Sequence, residues 1–174
     1  HVLEEAVSMV GAAASDAGVV LVPPQVQAGM NVFADRLRLR QILVNLLTNA
    51  IKYNRRGGRV MVSVWPDAGQ IAMEVSDTGR GLSAEQCQHL FEPFNRLGAE
   101  NSGIEGTGIG LVIVRRLIEL MSGHIEVASE VGVGTRFIVW MPQAELPEAD
   151  WDDAEVTTIS GTLNGPETGY TVLY

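Results

Sequence analysis

The clearest pattern in this sequence is a stripe of apolar residues that follows Asp35 at helical spacing. Its members recur at intervals of three and four residues, so they fall on one face of an α-helix: Leu39, Ile42, Leu43, Leu46, Leu47 and Ala50. Asp35 is a suitable N-cap for this helix, and the run Arg55-Arg56-Gly57-Gly58 is expected to end it. We therefore expect a long amphipathic helix with its apolar face turned towards the core.

Other periodicities predict elements on both sides of this helix. The further predicted helices are residues 3–17, 83–90, which a capping box opens, and 109–121. The predicted strands are residues 19–22, 30–33, 59–65, 70–77, 124–129 and 135–141. Since the last four strands form two hairpins that helices separate in the chain, the order indicates helices on one face of a mostly antiparallel sheet.

Charge divides the 174 residues unequally. The formal net charge is −9, and seven of the 21 acidic residues but none of the 12 basic ones follow Pro142, which leaves the preceding part at −2. We therefore expect one domain over residues 1–142 and an acidic linker over residues 143–174. The acidic balance argues against a nucleic-acid surface and against binding to anionic membranes.

Neither a disulfide nor a membrane span is expected. Cys87 is the single cysteine, which favours a reducing, cytoplasmic compartment. No apolar run approaches the roughly 20 residues that cross a bilayer. Because the chain begins with His, and acidic residues stand where a signal peptide would be basic, we expect a piece of a longer protein.

Four polar side chains near the end of the long helix could line a cleft. Asn45, Asn49 and Lys52 fall within about 60° of one another around the helix, and Tyr53 lies at the edge of the apolar stripe. A solvated helix face explains them equally simply. Two asparagines inside a helix nevertheless suggest a use, since asparagine is a poor helix former.

The segment Asp77-Thr78-Gly79-Arg80-Gly81 directly follows a predicted strand. It could be an ordinary turn. Alternatively, Gly79 and Gly81 allow a flat ring to approach the backbone while Asp77 accepts a hydrogen bond. Adenine has an amine donor where guanine has a carbonyl, so a carboxylate at that position would select ATP over GTP.

A glycine-rich segment from Gly103 to Gly110 runs into the last predicted helix. Backbone N–H groups at a helix N-terminus form an anion site, whereas a flexible linker is the alternative. The segment lacks the Lys-Ser/Thr of a Walker A loop and the spacing of a dinucleotide fingerprint. Phe91 and Phe94 upstream are expected as core anchors, and Arg96 stands where a loop can bring it onto a terminal phosphate.

Taken in order, these segments resemble a known family. NLLTNAIKY, DTGRGL, FEPFNR and GIEGTGIGL are similar to the four nucleotide-binding boxes of histidine-kinase ATPase domains in the GHKL superfamily. This superfamily also holds gyrase B subunits, MutL-type repair proteins and heat-shock chaperones. The similarity covers roughly residues 1–142 and implies a two-layer α/β sandwich, a mixed, mostly antiparallel sheet with helices on one face.

The resemblance also implies a role for each matching residue. Asn49 would supply a side-chain oxygen to Mg²⁺, which bridges the phosphates. Asn45 and Lys52 would contact phosphates, and Tyr53 would line the nucleotide site. Asp77 would bind the adenine amine, with Thr135 supporting it through water and Gly79 and Gly81 shaping the pocket. The lid would close over ATP together with Arg96, and its residues are Gly106, Thr107, Gly108, Ile109, Gly110 and Leu111.

One position favours phosphoryl transfer over hydrolysis. In ATP-hydrolysing members of the superfamily a Glu lies four residues before the metal-binding Asn, whereas this chain has Asn45, whose amide cannot accept a proton. The H-E/D-x-x-x-P pattern of the acceptor-histidine helices does not occur in the sequence. We therefore expect a protein histidine kinase catalytic domain that needs a separate dimerisation domain and is monomeric alone.

Two other functions stay open at this point, a GHKL-type ATPase and a degenerate module that binds nucleotide for regulation. The acidic linker ends in Thr171-Val172-Leu173-Tyr174, which looks like the first strand of a response-regulator receiver domain. A fused receiver domain or a separate response regulator is then the expected partner after the dimerisation domain. A chance apolar stretch, or one that packs on this domain, is the alternative.

Overall fold

The structure is a computed structural model that describes residues 2–26, 30–95 and 108–144, and the backbone of residues 170–172. Its helices are α1 (Val2–Ala17), α2 (Arg36–Lys52), α3 (Ala84–Gln88) and α4 (Gly110–Leu120). Its strands are β1 (Val20–Leu21), β2 (Gln25–Val26), β3 (Asn31–Phe33), β4 (Arg59–Asp67), β5 (Gln70–Asp77), β6 (His124–Glu130), β7 (Gly134–Pro142) and β8 (Tyr170–Val172). Within these segments, no helix is long and apolar enough to cross a membrane.

A mixed sheet forms the larger layer. Its order is β1-β4-β5-β7-β6, and β2 pairs with β4 beyond β1. The neighbours β4–β5, β5–β7 and β6–β7 are antiparallel, whereas β1 and β2 run parallel to β4. The expected fold class, a mostly antiparallel sheet with helices, is thereby confirmed. The parallel edge follows from α2, which lies between β3 and β4 in the chain and returns the chain to the end of the sheet from which β4 starts.

The helices cover one face of this sheet. Strand residues on that face occupy matching register positions, as in the row Val62, Val75, Phe137 and Val127. They pack against the apolar stripe of α2, of which Leu39, Ile42, Leu46 and Leu47 are fully buried. α2 therefore lies at the centre of the helical layer, in contact with α1 and α4.

The opposite sheet face carries a row of three aromatic side chains and one alanine. Trp65, Ala72, Trp140 and His124 are register neighbours on four strands. The His124 ring stacks on Trp140 with centroids 4.5 Å apart, and the Trp140 indole donates to Asp67 at 2.9 Å. Ala72 is completely buried in this row.

Three details differ from the sequence expectations. α3 ends at Gln88, slightly before the expected Leu90, with His89 as its C-cap. Phe91 packs against the core, but the expectation of a second anchor is wrong, since Phe94 is 73% exposed at a positive φ of 63°. The strand Gln25–Val26 was not expected, because Pro23 and Pro24 dominate the local pattern.

The end of the acidic linker returns to the domain. β8 pairs antiparallel with β3 along one edge, while the N–H of Ala144 donates to the carbonyl of Asn31 on the other. This pairing agrees with the alternative that the C-terminal stretch packs on this domain. Whether a receiver domain follows stays a prediction, as do the boundaries 1–142 and 143–174.

Candidate functional site

Four separated segments form the main walls of one cavity of about 640 Å³. These segments are α2 along most of its length, the end of β5 with the chain that follows it, the start of α4 and the first residues of β7. Ten residues singled out from the sequence line it: Asn45, Asn49, Lys52, Tyr53, Asp77, Gly81, Gly108, Gly110, Leu111 and Thr135. The fold thus brings together segments that lie up to about 90 residues apart in the chain.

The other expected site residues fall into two groups. Gly79 and Ile109 adjoin the cavity without lining it. Gly79 donates its N–H to Asp77, and Ile109 is the N-cap residue of α4. Arg96, Gly106 and Thr107 lie outside the described residues, so their positions remain predictions.

The amphipathic pattern of α2 explains how its polar residues reach the cavity. Asp35 caps the helix by accepting the N–H of Arg38 at 2.9 Å, which fixes where the first turn begins. Asn45 and Asn49 are then one turn apart, and the amide nitrogen of Asn49 donates to the carbonyl oxygen of Asn45 at 3.1 Å. Because the side-chain nitrogen of Asn49 already has this partner, the side-chain oxygen of Asn49 is the atom that can bind a cation or accept a hydrogen bond.

Asp77 ends β5 and is the one carboxylate that lines the cavity among the described residues. Its Oδ1 accepts the N–H of Gly79 at 2.7 Å, and the backbone N–H of Thr135 is its second donor. Burial raises the pKa of Asp77 above its ordinary value, although both N–H groups oppose this shift by stabilising the carboxylate. A half-buried carboxyl held by two backbone donors is suited to fixed recognition of an amine.

The backbone N–H of Thr135 faces Asp77, and the support through water that the family resemblance implies stays a prediction. The hydroxyl of Thr135 lies 2.9 Å from the hydroxyl of Ser129, which also donates to the carbonyl of Gly134 and accepts the N–H of Leu82. The β6–β7 hairpin is therefore bonded to the segment that follows Asp77. Ser129 was missed because a single serine in an alternating strand gives no signal.

The glycines after Asp77 are required by packing between backbones. A Cβ at Gly79 would lie 2.4 Å from the carbonyl oxygen of Tyr53, and one at Gly81 would lie 1.9 Å from that of Glu130. Gly81 also has a positive φ of 66°. The hypothesis from the sequence is that these glycines allow a flat ring to approach the backbone. In the structure they let the segment lie directly against α2 and the hairpin.

The start of α4 forms the remaining wall. The carbonyl of Gly108 accepts the N–H of Phe94 at 3.2 Å, which joins the two ends of the segment between them. A Cβ at Gly110 would approach the amide of Asn45 to 2.8 Å, so glycine allows α4 to start against α2. Among the described residues no side chain caps α4, and its first backbone N–H groups therefore suit an anion in the cavity.

Apolar lining residues were not found from the sequence. Leu82, Leu90 and Phe137 contribute to the cavity walls, and Met9 and Leu37 lie at its outer edge with more than half of each side chain exposed. Their sequence signal is that of ordinary core residues. The location of a cavity depends on where the core stops, which no local pattern reports.

The two histidines that the structure describes have local partners. His89 Nδ1 lies 2.7 Å from Glu92 Oε1 on the exposed end of α3, and that carboxylate raises the pKa of His89. His124 stacks on Trp140 outside the cavity. Neither histidine lines the cavity, so no imidazole is available as a nucleophile among the residues that form it.

Comparison with known proteins identifies related chains. Residues 34–145 match the family model described as "Histidine kinase-, DNA gyrase B-, and HSP90-like ATPase". The circadian input-output histidine kinase CikA of Synechococcus elongatus is 41% identical over 126 residues, which are 71% of this chain and 17% of CikA. The chain therefore spans less than a fifth of the length of that relative.

Solved structures share the fold. The mycobacterial sensor histidine kinase MprB matches with a TM-score of 0.73 and 25% identity, over 83% of this chain and 95% of that one. Full-length ShkA in complex with AMPPNP also gives a TM-score of 0.73, with 30% identity, over 83% of this chain and 30% of ShkA. Both matches extend beyond the cavity to most of the sheet and helices.

Proposed function

This chain belongs to the histidine kinase-, DNA gyrase B-, and HSP90-like ATPase family, and on that premise we propose that it is the ATP-binding catalytic domain of a two-component sensor histidine kinase. The observation that carries the proposal is the convergence of Asn49, Asp77 and Gly108 on one cavity. They offer an amide oxygen, a carboxylate and backbone free of a side chain. A metal-bound nucleotide needs such groups at once, for its metal, base and phosphates.

Asp77 is proposed to recognise adenine. Gly79 and Thr135 occupy part of its acceptor capacity, and an ionised carboxyl accepts about four hydrogen bonds, so capacity for an amine donor remains. Guanine would present a carbonyl oxygen to the same carboxylate and would be repelled. The domain should therefore prefer ATP to GTP.

The phosphate end of the proposed site combines Asn45, Lys52 and the N-terminus of α4. Mg²⁺ fits this donor set through the carbonyl oxygen of Asn49, because Mg²⁺ takes few protein ligands and completes its shell with phosphate oxygens and water. When bound, the ion would neutralise charge on the phosphates. The lid residues Gly106 and Thr107, with Arg96, are proposed to close over the triphosphate.

The proposed reaction is transfer of the γ-phosphoryl group to a histidine on a separate dimerisation domain. The imidazole nitrogen forms a bond to phosphorus while the bond from phosphorus to the bridging oxygen of ADP breaks. Asn45 cannot activate water as a base, and its carbonyl oxygen already accepts from Asn49, which disfavours hydrolysis. A response regulator, separate or fused, would then take the phosphoryl group, and we propose that these steps occur in the cytoplasm.

Nucleotide binding is the first test. Calorimetry with Mg-ATP should give micromolar binding that Asp77→Asn removes or strongly weakens, because the amide nitrogen would face the adenine amine. Asp67→Asn is the matched control, since Asp67 is exposed and bonds Trp140 away from the cavity. A domain that ignores ATP at millimolar concentration would contradict the proposal.

Phosphoryl transfer is the second test. The domain is incubated with γ-labelled ATP, alone and with candidate acceptor-helix fragments of histidine kinases. We expect label on a fragment histidine and negligible label on the domain alone. Release of inorganic phosphate by the isolated domain, at a rate matching transfer, would favour the ATPase alternative, and binding without transfer to any fragment would favour a regulatory module.

A further inference from the structure

Arg80 occupies a junction between three parts of the site wall. Its backbone N–H donates to the carbonyl of Tyr53 at 3.1 Å, and its carbonyl accepts the N–H of Gly132 at 2.8 Å. Arg80 therefore connects the C-terminus of α2 to the β6–β7 hairpin. These two bonds fix its Cα, so its side chain starts from a defined place at the cavity edge.

The side chain of Arg80 lies over an aromatic ring. Its guanidinium carbon is 4.7 Å from the centroid of the Tyr53 ring, within the roughly 6 Å of a cation–π contact. The ammonium of Lys52 also lies over this ring, at 5.2 Å. In the described part of the chain Arg80 forms no ion pair with a carboxylate, so the Tyr53 ring is the partner of its charge.

All three side chains line the cavity. Tyr53 is the C-cap residue of α2 and is half-buried, so its ring is the last part of the helix wall before the chain turns away. Without the cation above it, the ring would have one less contact to hold its rotamer. An exposed arginine that is fixed by its own backbone is well suited to supply that contact.

We propose that Arg80 is a positioning residue that holds the Tyr53 ring as a fixed wall of the nucleotide cleft. The inference rests on the proposed function and deepens it, because it adds a residue between the two glycines to the binding machinery. Arg80 acts through Tyr53 and does not itself contact the phosphates. Its contribution therefore extends to ligands that have no phosphate.

The test compares Arg80→Met, which keeps an unbranched chain without charge, with Arg80→Lys, which keeps the cation. We expect Arg80→Met to weaken ATP, ADP and adenosine by the same factor, about two- to fivefold, and Arg80→Lys to retain most of the affinity. In nucleotide-free protein the NMR signals of the Tyr53 ring should move in Arg80→Met and much less in Arg80→Lys. The thermal midpoint should stay within about 2 °C, since both backbone bonds remain.

Combining Arg80→Met with substitutions of Tyr53 provides the decisive test. In Tyr53→Phe the effect of Arg80→Met should persist, because phenylalanine keeps the ring face. In Tyr53→Leu it should vanish. Persistence in Tyr53→Leu, or weaker ATP binding with unchanged adenosine binding, would show a direct phosphate contact and overturn the inference.

The two proposals fail in different ways. If the unmodified protein binds no nucleotide, the proposed function fails, and the inference fails with it. If the unmodified protein binds ATP and Arg80→Met binds every ligand equally well, only the inference about Arg80 is overturned.

Discussion

A pair of glycine substitutions tests whether close backbone packing, and not conformational freedom alone, fixes the segment after Asp77. Gly81 and Gly132 have similar positive φ values of 66° and 80°. A Cβ at Gly81 would lie 1.9 Å from the carbonyl oxygen of Glu130, whereas a Cβ at Gly132 would meet nothing within 4 Å. Gly81→Ala and Gly132→Ala therefore introduce the same backbone strain but different crowding.

The expected magnitudes follow from these two terms. A non-glycine residue in the left-handed region costs about 1–2 kcal/mol, and both variants incur this cost. Gly81→Ala adds about 1–3 kcal/mol for overpacking, because the obstructing atom belongs to backbone and cannot rotate away. We expect a loss of about 2–5 kcal/mol in the free energy of unfolding for Gly81→Ala and about 1–2 kcal/mol for Gly132→Ala.

Urea unfolding followed by circular dichroism measures both losses. Thermal midpoints provide a second reading, since about 1 kcal/mol corresponds to about 2–4 °C in a domain of this size. Equal losses in the two variants would refute the reasoning. The segment would then be able to move away from Glu130 at no cost, and tight packing would not explain the glycine.

Three further outcomes are expected. As the pH falls, ATP binding should weaken at a higher pH than for an ordinary aspartate, because burial raises the pKa of Asp77 and the protonated form is a poorer acceptor; calorimetry of the unmodified domain across pH should show this. Asp35→Ala should lose about 1 kcal/mol in urea unfolding, because the N–H of Arg38 loses its acceptor, while Asp35→Asn should lose little. Gly11→Ala should gain about 0.5–1 kcal/mol, because the helical site has open space, and a loss would contradict that geometry.

Local signals predicted the regular elements well. The apolar stripe and the Asp35 cap predicted α2, and the alternation of residues 59–65 and 70–77 predicted β4 and β5. Such patterns succeed because helix and strand periods are properties of the chain itself. The four glycine- and asparagine-containing segments can likewise be read directly from the sequence, and their order was sufficient to predict the family.

The sequence by itself thus determined the helices, the antiparallel hairpins and the set of candidate residues. Only the tertiary structure decided that Asp77 is held by the backbone of Thr135, that Gly81 is packed against Glu130 and that Arg80 lies over Tyr53. Each of these contacts joins segments separated by more than 25 positions in the chain. Their geometry depends on how sheet and helices pack together, and no periodicity along the chain contains that distance.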